Sequence, residues 1–305
     1  MRLGTILLVA TTLLPGCEVN LNSEGLTARD VKTFKVSGQA ELVLNTFDGA
    51  IELHSWDKNE IEVEVEKRAM DQSLLDEIKV DAQQQGDTIT ITVTGPARTE
   101  HHGVTLGVNI SPTARLRVAV PRSININATS GDGSIRAEAI NGHIVLNTTD
   151  GSVTGTRIGG DIQIRSGDGS IRLDHATGKL DLETTDGSIG LEAQPTVLRV
   201  RTGDGSIRAT IQPDSKMTDN WDLTTSDGNV TVTLPGLFNA EFDAETSDGT
   251  VRSNHPLLGD DRPAQGEGDD REERRERRKS LKSKMGDGGK TFRIRTGDGT
   301  IRLER

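Results

Sequence analysis

The residues best able to do chemistry in this sequence are the aspartates of a recurring Asp-Gly pair. Five such pairs follow one another at equal intervals. Acidic, glycine-rich repeats bind calcium in some β-rolls, because oxygen ligands suit a hard cation. Each unit here supplies one aspartate, however, whereas the calcium-binding nonapeptide repeat has a denser supply of glycines and ligands. We therefore predict a turn, with no metal and no cofactor. The aspartates are Asp132, Asp150, Asp168, Asp186 and Asp204.

Other candidate catalytic groups are scattered along the chain. Polysaccharide lyases and hydrolases built on β-helices need two or three carboxylates that converge in a groove, and the acids of these repeats alternate with Arg, Thr and Asn instead. Only His101 and His102 are adjacent, and two histidines without a third ligand make a poor zinc site. No Gly-x-Ser-x-Gly motif or phosphate loop is present. We predict that the protein is not an enzyme. The remaining candidates are Asp181, Glu183, Asp222, Asp243, Glu245, His54, His143, His175 and His255.

The residues on either side of each Asp-Gly pair alternate between apolar and polar. Ile162 and Ile164 precede Asp168 at even spacing, and Ile171 and Leu173 follow it in the same way. Such alternation is typical of a half-buried strand, because successive side chains point to opposite faces. Each unit therefore reads as strand, turn, strand.

The Asp-Gly pair itself predicts the turn. Glycine takes a positive φ without a Cβ clash, and Asp tolerates left-handed geometry while its side chain bonds nearby backbone N–H groups. We expect positive φ at Gly169 and Gly187. Asp-Gly between alternating strands is also a strong hairpin signal. In that alternative, the residues two before and three after each Asp would lie opposite each other.

The same register recurs outside the perfect stretch, around Asp48, Asp227, Asp248 and Asp298, which makes nine copies of the unit. Aromatic residues are only 2% of the chain, and a thin stack of rungs lined by Ile, Leu, Val and Ala needs few of them. We predict an all-β fold, a repeat-built β-solenoid of 18-residue units, in the form of a right-handed parallel β-helix. A stack of antiparallel hairpins is the alternative.

A second pattern concerns charge. The residue four after each Asp alternates between arginine and a neutral residue. The chemical pattern therefore repeats only at every second unit, so a full coil could take either one unit or two. The pattern predicts an outward basic stripe, which would serve either as a glycan-binding surface or in cross-strand charge pairing. The residues are Arg136, Thr154, Arg172, Gly190 and Arg208. Three residues before the Asp, an acid likewise separates two arginines, at Arg165, Glu183 and Arg201.

The N-terminus has the features of a lipoprotein signal peptide. Arg2 precedes an apolar run that ends at Leu14 and is too short to span a bilayer comfortably. The following Pro-Gly-Cys completes a motif that resembles the lipobox of bacterial lipoproteins, in which the cysteine is acylated. Cys17 is the only cysteine, so no intramolecular disulfide is available to it. We predict a signal peptide over 1–16, lipidation of Cys17 and a polar tether over 17–30, with an ordinary secretory signal as the alternative.

The rest of the chain divides by composition. A segment over 253–290 has almost no apolar residues and many charges, which predicts a disordered insertion. Its basic half could contact anionic glycan or lipid, or be only a solvated loop. We expect the repeat after it to close the far end of the stack. The predicted divisions are an N-terminal β region over 31–120 with a short helix near 71–79, the Asp-Gly repeats over 121–252, the insertion, and the final repeat over 291–305.

Several of these features together resemble the DUF4097 family, whose members carry an adhesin label that is mostly inferred. The resemblance rests on Asp48-Gly49, on the following Ile-Glu-Leu-His-Ser-Trp-Asp, on Val118 to Pro121, and on the serial Ser-Gly-Asp-Gly units. It covers about 31–252 and resumes over 291–305. Membership implies a β-solenoid-like body and no catalytic residues, and it leaves the insertion unexplained.

These features predict a protein held to a membrane through an N-terminal lipid, with its body in water. A formal net charge of −11 argues against nucleic acid as a partner. We expect a cell-envelope location, at the outer membrane or on the periplasmic side in a diderm host. The predicted function is an adhesin-like repetitive surface that binds glycan or protein. The alternatives are a structural or accessory envelope protein without a ligand and a carbohydrate-active enzyme.

Overall fold

The computed structural model describes residues 20–22, 25–96, 111–255 and 279–305, and within them the fold is all-β and solenoid-like. The only helix that lies wholly within these ranges is α1 (Gln72–Glu77). The strands are β1 (Asn20–Asn22), β2 (Gly25–Lys35), β3 (Glu41–Thr46), β4 (Ile51–Trp56), β5 (Glu60–Ala69), β6 (Lys79–Gln85), β7 (Thr88–Thr94), β8 (Thr113–Pro121), β9 (Asn125–Ser130), β10 (Ile135–Glu138), β11 (Asn141–Thr148), β12 (Val153–Thr156), β13 (Gly159–Ser166), β14 (Ile171–Thr184), β15 (Ile189–Thr202), β16 (Ile207–Ile211), β17 (Trp221–Thr225), β18 (Val230–Thr233), β19 (Ala240–Thr246), β20 (Val251–Ser253), β21 (Ser280–Met285), β22 (Thr291–Thr296) and β23 (Ile301–Glu304).

Successive units stack by parallel pairing. Strands that precede the turns pair with one another, as Ile162 of β13 does with Leu180 of β14, and strands that follow the turns do the same, as Val153 does with Ile171. We call these two surfaces the pre-turn face and the post-turn face. Both pairs join equivalent residues of successive units. The parallel register excludes the hairpin alternative, in which the two strands of one unit would pair with each other.

The interior is formed by the apolar side chains of the alternating pattern, and Ile162, Ile164 and Ile171 are among those with almost no exposure to solvent. At the C-terminal end, aromatic rings fill this position. Trp221 pairs in register with Phe292, which pairs with Phe242. The ring centroids of the two pairs lie 5.3 Å apart in each case. Such contacts add to the stabilisation from buried area.

The turn glycines are required for a reason other than the one predicted. Among the nine repeat turns only Gly49 has a positive φ, at +121°, so the expectation of positive φ at Gly169 and Gly187 is wrong. Instead, a Cβ at Gly169 would overlap the carbonyl oxygen of Gly151, and one at Gly187 would overlap that of Gly169. Stacked turns approach so closely that only glycine fits.

A ladder of hydroxyls joins adjacent turns of the stack. Thr184 Oγ1 lies 2.8 Å from the carbonyl oxygen of Gly167 and 2.9 Å from that of Gly169. The amide N–H of Gly187 donates to the same hydroxyl over 3.3 Å. Backbone groups that would be buried without a partner are thereby satisfied. The residues at this buried position are Thr46, Ser130, Thr148, Ser166, Thr184, Thr202, Thr225, Thr246 and Thr296.

The final repeat does not close the stack. β22 pairs with β17 on one side and with β19 on the other, and β23 lies between β18 and β20 in the same way. The repeat over 240–253 therefore occupies the end, and the prediction that the final repeat closes it is wrong. All the repeats share one register, so the alternation alone does not indicate which of them are neighbours.

Part of the predicted disordered insertion is a strand. β21 (Ser280–Met285) pairs antiparallel with β19, with Met285 opposite Ala240. Met285 is buried and Leu281 packs against the core, so this strand covers an edge that β19 would otherwise leave open. The prediction of disorder over 253–290 is therefore wrong for this strand. Residues 256–278 of the predicted insertion lie outside the described ranges.

The N-terminal region joins the stack through β3 and β4. β3 pairs in parallel with β9, and β4 with β10, while β2, β5 and β8 pair antiparallel beside them. The predicted tether over 17–30 is wrong for Gly25 to Asp30, because these residues belong to β2. α1 falls within the predicted helix, and Asp71 caps it by accepting a hydrogen bond from the N–H of Leu74. In the described ranges no helix is long and apolar enough to cross a membrane.

Candidate binding surface

The predicted basic stripe is present on the post-turn face. Arg136 lies beside Thr154, which lies beside Arg172, and Gly190 then separates Arg172 from Arg208. We call the five exposed arginines at this position the arginine row. Two of them were not recognised in the sequence, although each also lies four residues after a repeat aspartate. The members, in order along the stack, are Arg136, Arg172, Arg208, Arg302 and Arg252.

None of the five arginines has a hydrogen bond or ion pair to any residue in the described part of the chain. Cross-strand charge pairing, the alternative role for this stripe, therefore does not apply to it. Neutral neighbours instead separate Arg136, Arg172 and Arg208 by two strand spacings, about 9.6 Å. Arg302 and Arg252 lie directly opposite each other at the far end of the row.

Two further outward rows flank the arginine row on the post-turn strands. On the turn side are exposed hydroxyls, including those of Ser134, Ser170 and Ser206. On the other side are carboxylates that already have partners, such as Glu138 with Arg157 at 2.5 Å. Asp174 contacts the ring of His175, and Glu192 accepts a hydrogen bond from Gln212, each at 2.9 Å. None of these three acids forms an ion pair with an arginine of the row.

The pre-turn face has the opposite arrangement. Arg165 pairs with Glu183 across strands at 2.6 Å, as the sequence pattern suggested. Farther along, Arg295 pairs with Asp243 at 2.8 Å, and their side chains are 28% and 21% exposed. The hydrogen bond from Arg295 lowers the pKa of Asp243 more than partial burial raises it. Several outward charges on this face are therefore paired across strands, although Arg201, which lies opposite Glu183, has no ion pair among the described residues.

A cluster of ion pairs terminates the arginine row at its N-terminal end. Arg117 occupies the equivalent register position one strand beyond Glu52, and it pairs with Glu52, Glu64 and Glu66 at 3.0 to 3.6 Å. Burial disfavours the charged form of Arg117, but attraction by the three glutamates outweighs it and raises the pKa of Arg117. The unpaired stretch of the row therefore begins at Arg136.

The other predicted candidates do not converge. The repeat aspartates from Asp132 to Asp204 are exposed at the turns, and no group of three or more metal-ligating side chains occurs in the described ranges. Asp219 and Asp222 line an open cleft of about 330 Å³, but three arginines of the pre-turn face line it as well. His54, His143, His175 and His255 lie far apart in the chain. Cys17, His101 and His102 lie outside the described residues.

The chain matches the Toastrack DUF4097 family over residues 39–304, and it belongs to that family. The resemblance identified in the sequence is thereby confirmed. No curated protein matches the chain significantly.

Several solved structures are similar to this chain at low sequence identity. A putative adhesin from Bacteroides fragilis is 10% identical, with a TM-score of 0.43, and the match covers 90% of this chain and 96% of that one. A putative adhesin from Parabacteroides merdae is also 10% identical, with a TM-score of 0.40 and coverage of 91% and 96%. A putative lipid binding protein from Parabacteroides distasonis is 12% identical, with a TM-score of 0.37 and coverage of 91% and 97%.

Proposed function

We propose that this protein is an envelope-anchored, adhesin-like binding protein whose arginine row contacts an anionic glycan or protein. One observation supports this more than any other. A chain with a net charge of −11 presents five exposed arginines in one line, without a partner among the described residues. Exposed cations that are not paired within the fold are free to attract a partner of opposite charge. The role is binding rather than catalysis.

The scaffold we propose for this surface is a right-handed parallel β-helix in which each 18-residue unit forms one coil. Its support is the parallel register over β11, β13, β14 and β15, where equivalent residues of successive units are partners. Parallel strands joined by a crossover connect with a right-handed sense in almost all proteins. Such a scaffold would hold the arginines in a straight line at fixed spacing.

The attachment we propose is the lipid on Cys17 that follows removal of residues 1–16. It would place the protein in the cell envelope, at the outer membrane or on the periplasmic side in a diderm host, and leave the arginine row in water. Replacing Cys17 by Ser should move the protein from the membrane fraction to the soluble fraction and abolish incorporation of labelled fatty acid. Membrane retention of the unlabelled variant would exclude lipidation as the anchor.

A matched pair of triple substitutions tests the binding role. The row variant replaces Arg136, Arg172 and Arg208 by Gln. The control replaces three exposed arginines of the pre-turn face and changes the net charge equally. Binding of the full-length proteins to an array of acidic glycans should fall about tenfold for the row variant and less than about twofold for the control. Equal losses, or none, would contradict the proposal and favour a structural protein without a ligand. The control residues are Arg165, Arg199 and Arg201.

A further inference from the structure

The arginine row has a defined charge spacing, and it indicates a ligand class. We propose that the row binds a linear acidic polysaccharide that carries one acid per disaccharide and lies along the stacking direction. This inference rests on the proposed binding function and adds the chemistry of the ligand to it.

The first argument is the interval between charges. Arg136, Arg172 and Arg208 occupy alternate strands, so the interval between them is about 9.6 Å. An extended disaccharide unit has a similar length. A chain with one carboxylate per disaccharide could therefore place successive acids opposite successive arginines. Thr154 and Gly190 lie between them and carry no charge, so no arginine would be left without an acid in this stretch.

The second argument is the direction and length of the row. Arg136 and Arg302 are separated by six strand steps, or about 29 Å, which a flexible oligosaccharide of a few disaccharides can span. Several weak contacts along one molecule raise the overall affinity without any deep pocket.

The third argument comes from the neighbouring hydroxyls. Ser134, Ser170 and Ser206 lie two residues before Arg136, Arg172 and Arg208, and their exposed side chains are on the same side of the strand. A hydroxyl both donates and accepts hydrogen bonds, which suits the many hydroxyls of a sugar chain. Each disaccharide would meet one arginine and at least one serine.

Nucleic acid fits this row less well than an acidic polysaccharide does. Each strand of a duplex carries a phosphate about every 3.4 Å, roughly three for each interval of the row. Most phosphates would therefore have no cation opposite, and the net charge of −11 would repel this dense charge more strongly than the sparser charge of the polysaccharide. A sparse acid spacing is the better match.

The decisive variant changes the spacing and nothing else. Thr154→Arg combined with Arg172→Thr keeps composition, net charge and face, but it replaces two equal intervals by one short and one long interval. The probes are hyaluronan oligosaccharides, with one carboxylate per disaccharide, and oligogalacturonates of equal charge, with one carboxylate per sugar. The exchange should weaken hyaluronan binding about tenfold and change oligogalacturonate binding less than about twofold.

A second variant tests the spacing at a position where a new side chain should not disturb the fold. Gly190→Arg adds a charge between Arg172 and Arg208, and the Cβ at position 190 would have no atom within 4 Å. It should improve oligogalacturonate binding more than hyaluronan binding, because the added arginine has no acid opposite it on the sparser polymer. Thermal unfolding of each variant checks that it is folded.

The outcomes separate this inference from the proposed function. If the exchange variant binds both polymers as the wild type does, while the triple Gln variant binds neither, the row binds anions but does not select a spacing. That result overturns the inference alone. The polysaccharide inference is also overturned if the wild type binds neither polymer, or if the triple Gln variant binds both polymers as the wild type does. Loss of binding to an acidic glycan array in the row variant alone would still support the proposed function.

Discussion

The two outward faces of the stack come from the same repeat but differ in how they treat charge. On the pre-turn face, neighbouring strands place opposite charges together, as in Arg165 with Glu183 and Arg295 with Asp243. On the post-turn face, the residues between Arg136, Arg172 and Arg208 are neutral, and Arg136 forms no ion pair with Glu52 on its other side. The strand register is the same on both faces. The difference therefore depends on the residue chosen at one outward position.

Stability does not explain the difference. Exposed ion pairs contribute at most about 1 kcal/mol each, and often nothing measurable. Pairing on the post-turn face was equally available, since a glutamate at position 154 or 190 would lie between two arginines. The arginine row lacks ion pairs on several neighbouring strands, and an external ligand explains this better than folding does. The following predictions test whether the faces differ as described, from the largest effect to the smallest.

The turns that separate the two faces should be the most sensitive positions. Gly187→Val should lower the free energy of unfolding by about 3 kcal/mol, because the new side chain would overlap the carbonyl oxygen of Gly169. Gly190→Val is the matched control within the same unit, where an added Cβ meets no atom within 4 Å. Denaturant unfolding of both variants measures the difference. Equal effects would contradict the close approach of the turns.

The hydroxyl ladder should have the next largest effect. Thr184→Val keeps the shape of the side chain but removes the hydroxyl partner of the buried Gly169 carbonyl and of the Gly187 N–H. We expect a loss of about 2 kcal/mol, as is usual for a buried polar group that loses its partner. Thr184→Ser retains the hydroxyl and should cost less. If Thr184→Ser cost as much as Thr184→Val or more, the hydrogen bonds would not be the main contribution of Thr184.

The paired face should respond to acid. Because Arg295 lowers the pKa of Asp243 in the folded protein, this pair stabilises the fold fully above the ordinary carboxyl value of 3.8. The contribution should disappear as the pH falls from 3.8 through the lower folded pKa. We expect the stability difference between the wild type and Asp243→Asn to shrink over that range. Unfolding curves measured at several pH values test this, and a difference that grew on acidification would contradict it.

The arginine row should have the smallest effect on stability. Arg172→Gln breaks no hydrogen bond or ion pair within the described part of the chain, so we expect a change below about 0.5 kcal/mol. The comparison is Arg295→Gln on the pre-turn face, which removes contacts to both Asp243 and Glu245 and should cost more. Thermal unfolding of the two variants measures the difference. A larger loss for Arg172→Gln would indicate that the row has a structural role after all.

The all-β class and most of the stack could be predicted from the sequence. Alternation around Asp168 and its equivalents specifies which side chains are buried, and a constant repeat length brings equivalent residues together. The reason why the turns require glycine could not be predicted from the sequence. A close approach between Gly169 and Gly151 arises only after stacking, and the usual reason for glycine in a turn, positive φ, does not apply there. The hydroxyl before each turn was a visible signal, since it is always Ser or Thr.

The order of the last repeats could not be predicted, because order in a stack depends on contacts between units rather than on the pattern within one. Phe292 packs between Trp221 and Phe242, and those ring contacts accompany the insertion of the final repeat before the end of the stack. Likewise, β21 is short and polar, and its alternation becomes meaningful only beside the open edge of β19. The arginine row was predicted as far as Arg208, and its lack of partners required the structure.

The most direct test of the unpaired row is the chemical reactivity of individual arginines. Phenylglyoxal modification, followed site by site with mass spectrometry, can be measured on the full-length protein with and without a hyaluronan oligosaccharide. We predict that Arg136, Arg172 and Arg208 react faster than Arg165 and Arg295 in the free protein. We also predict that the ligand protects only the first three. Equal reactivity on both faces, or protection of Arg165 and Arg295 instead, would contradict the account.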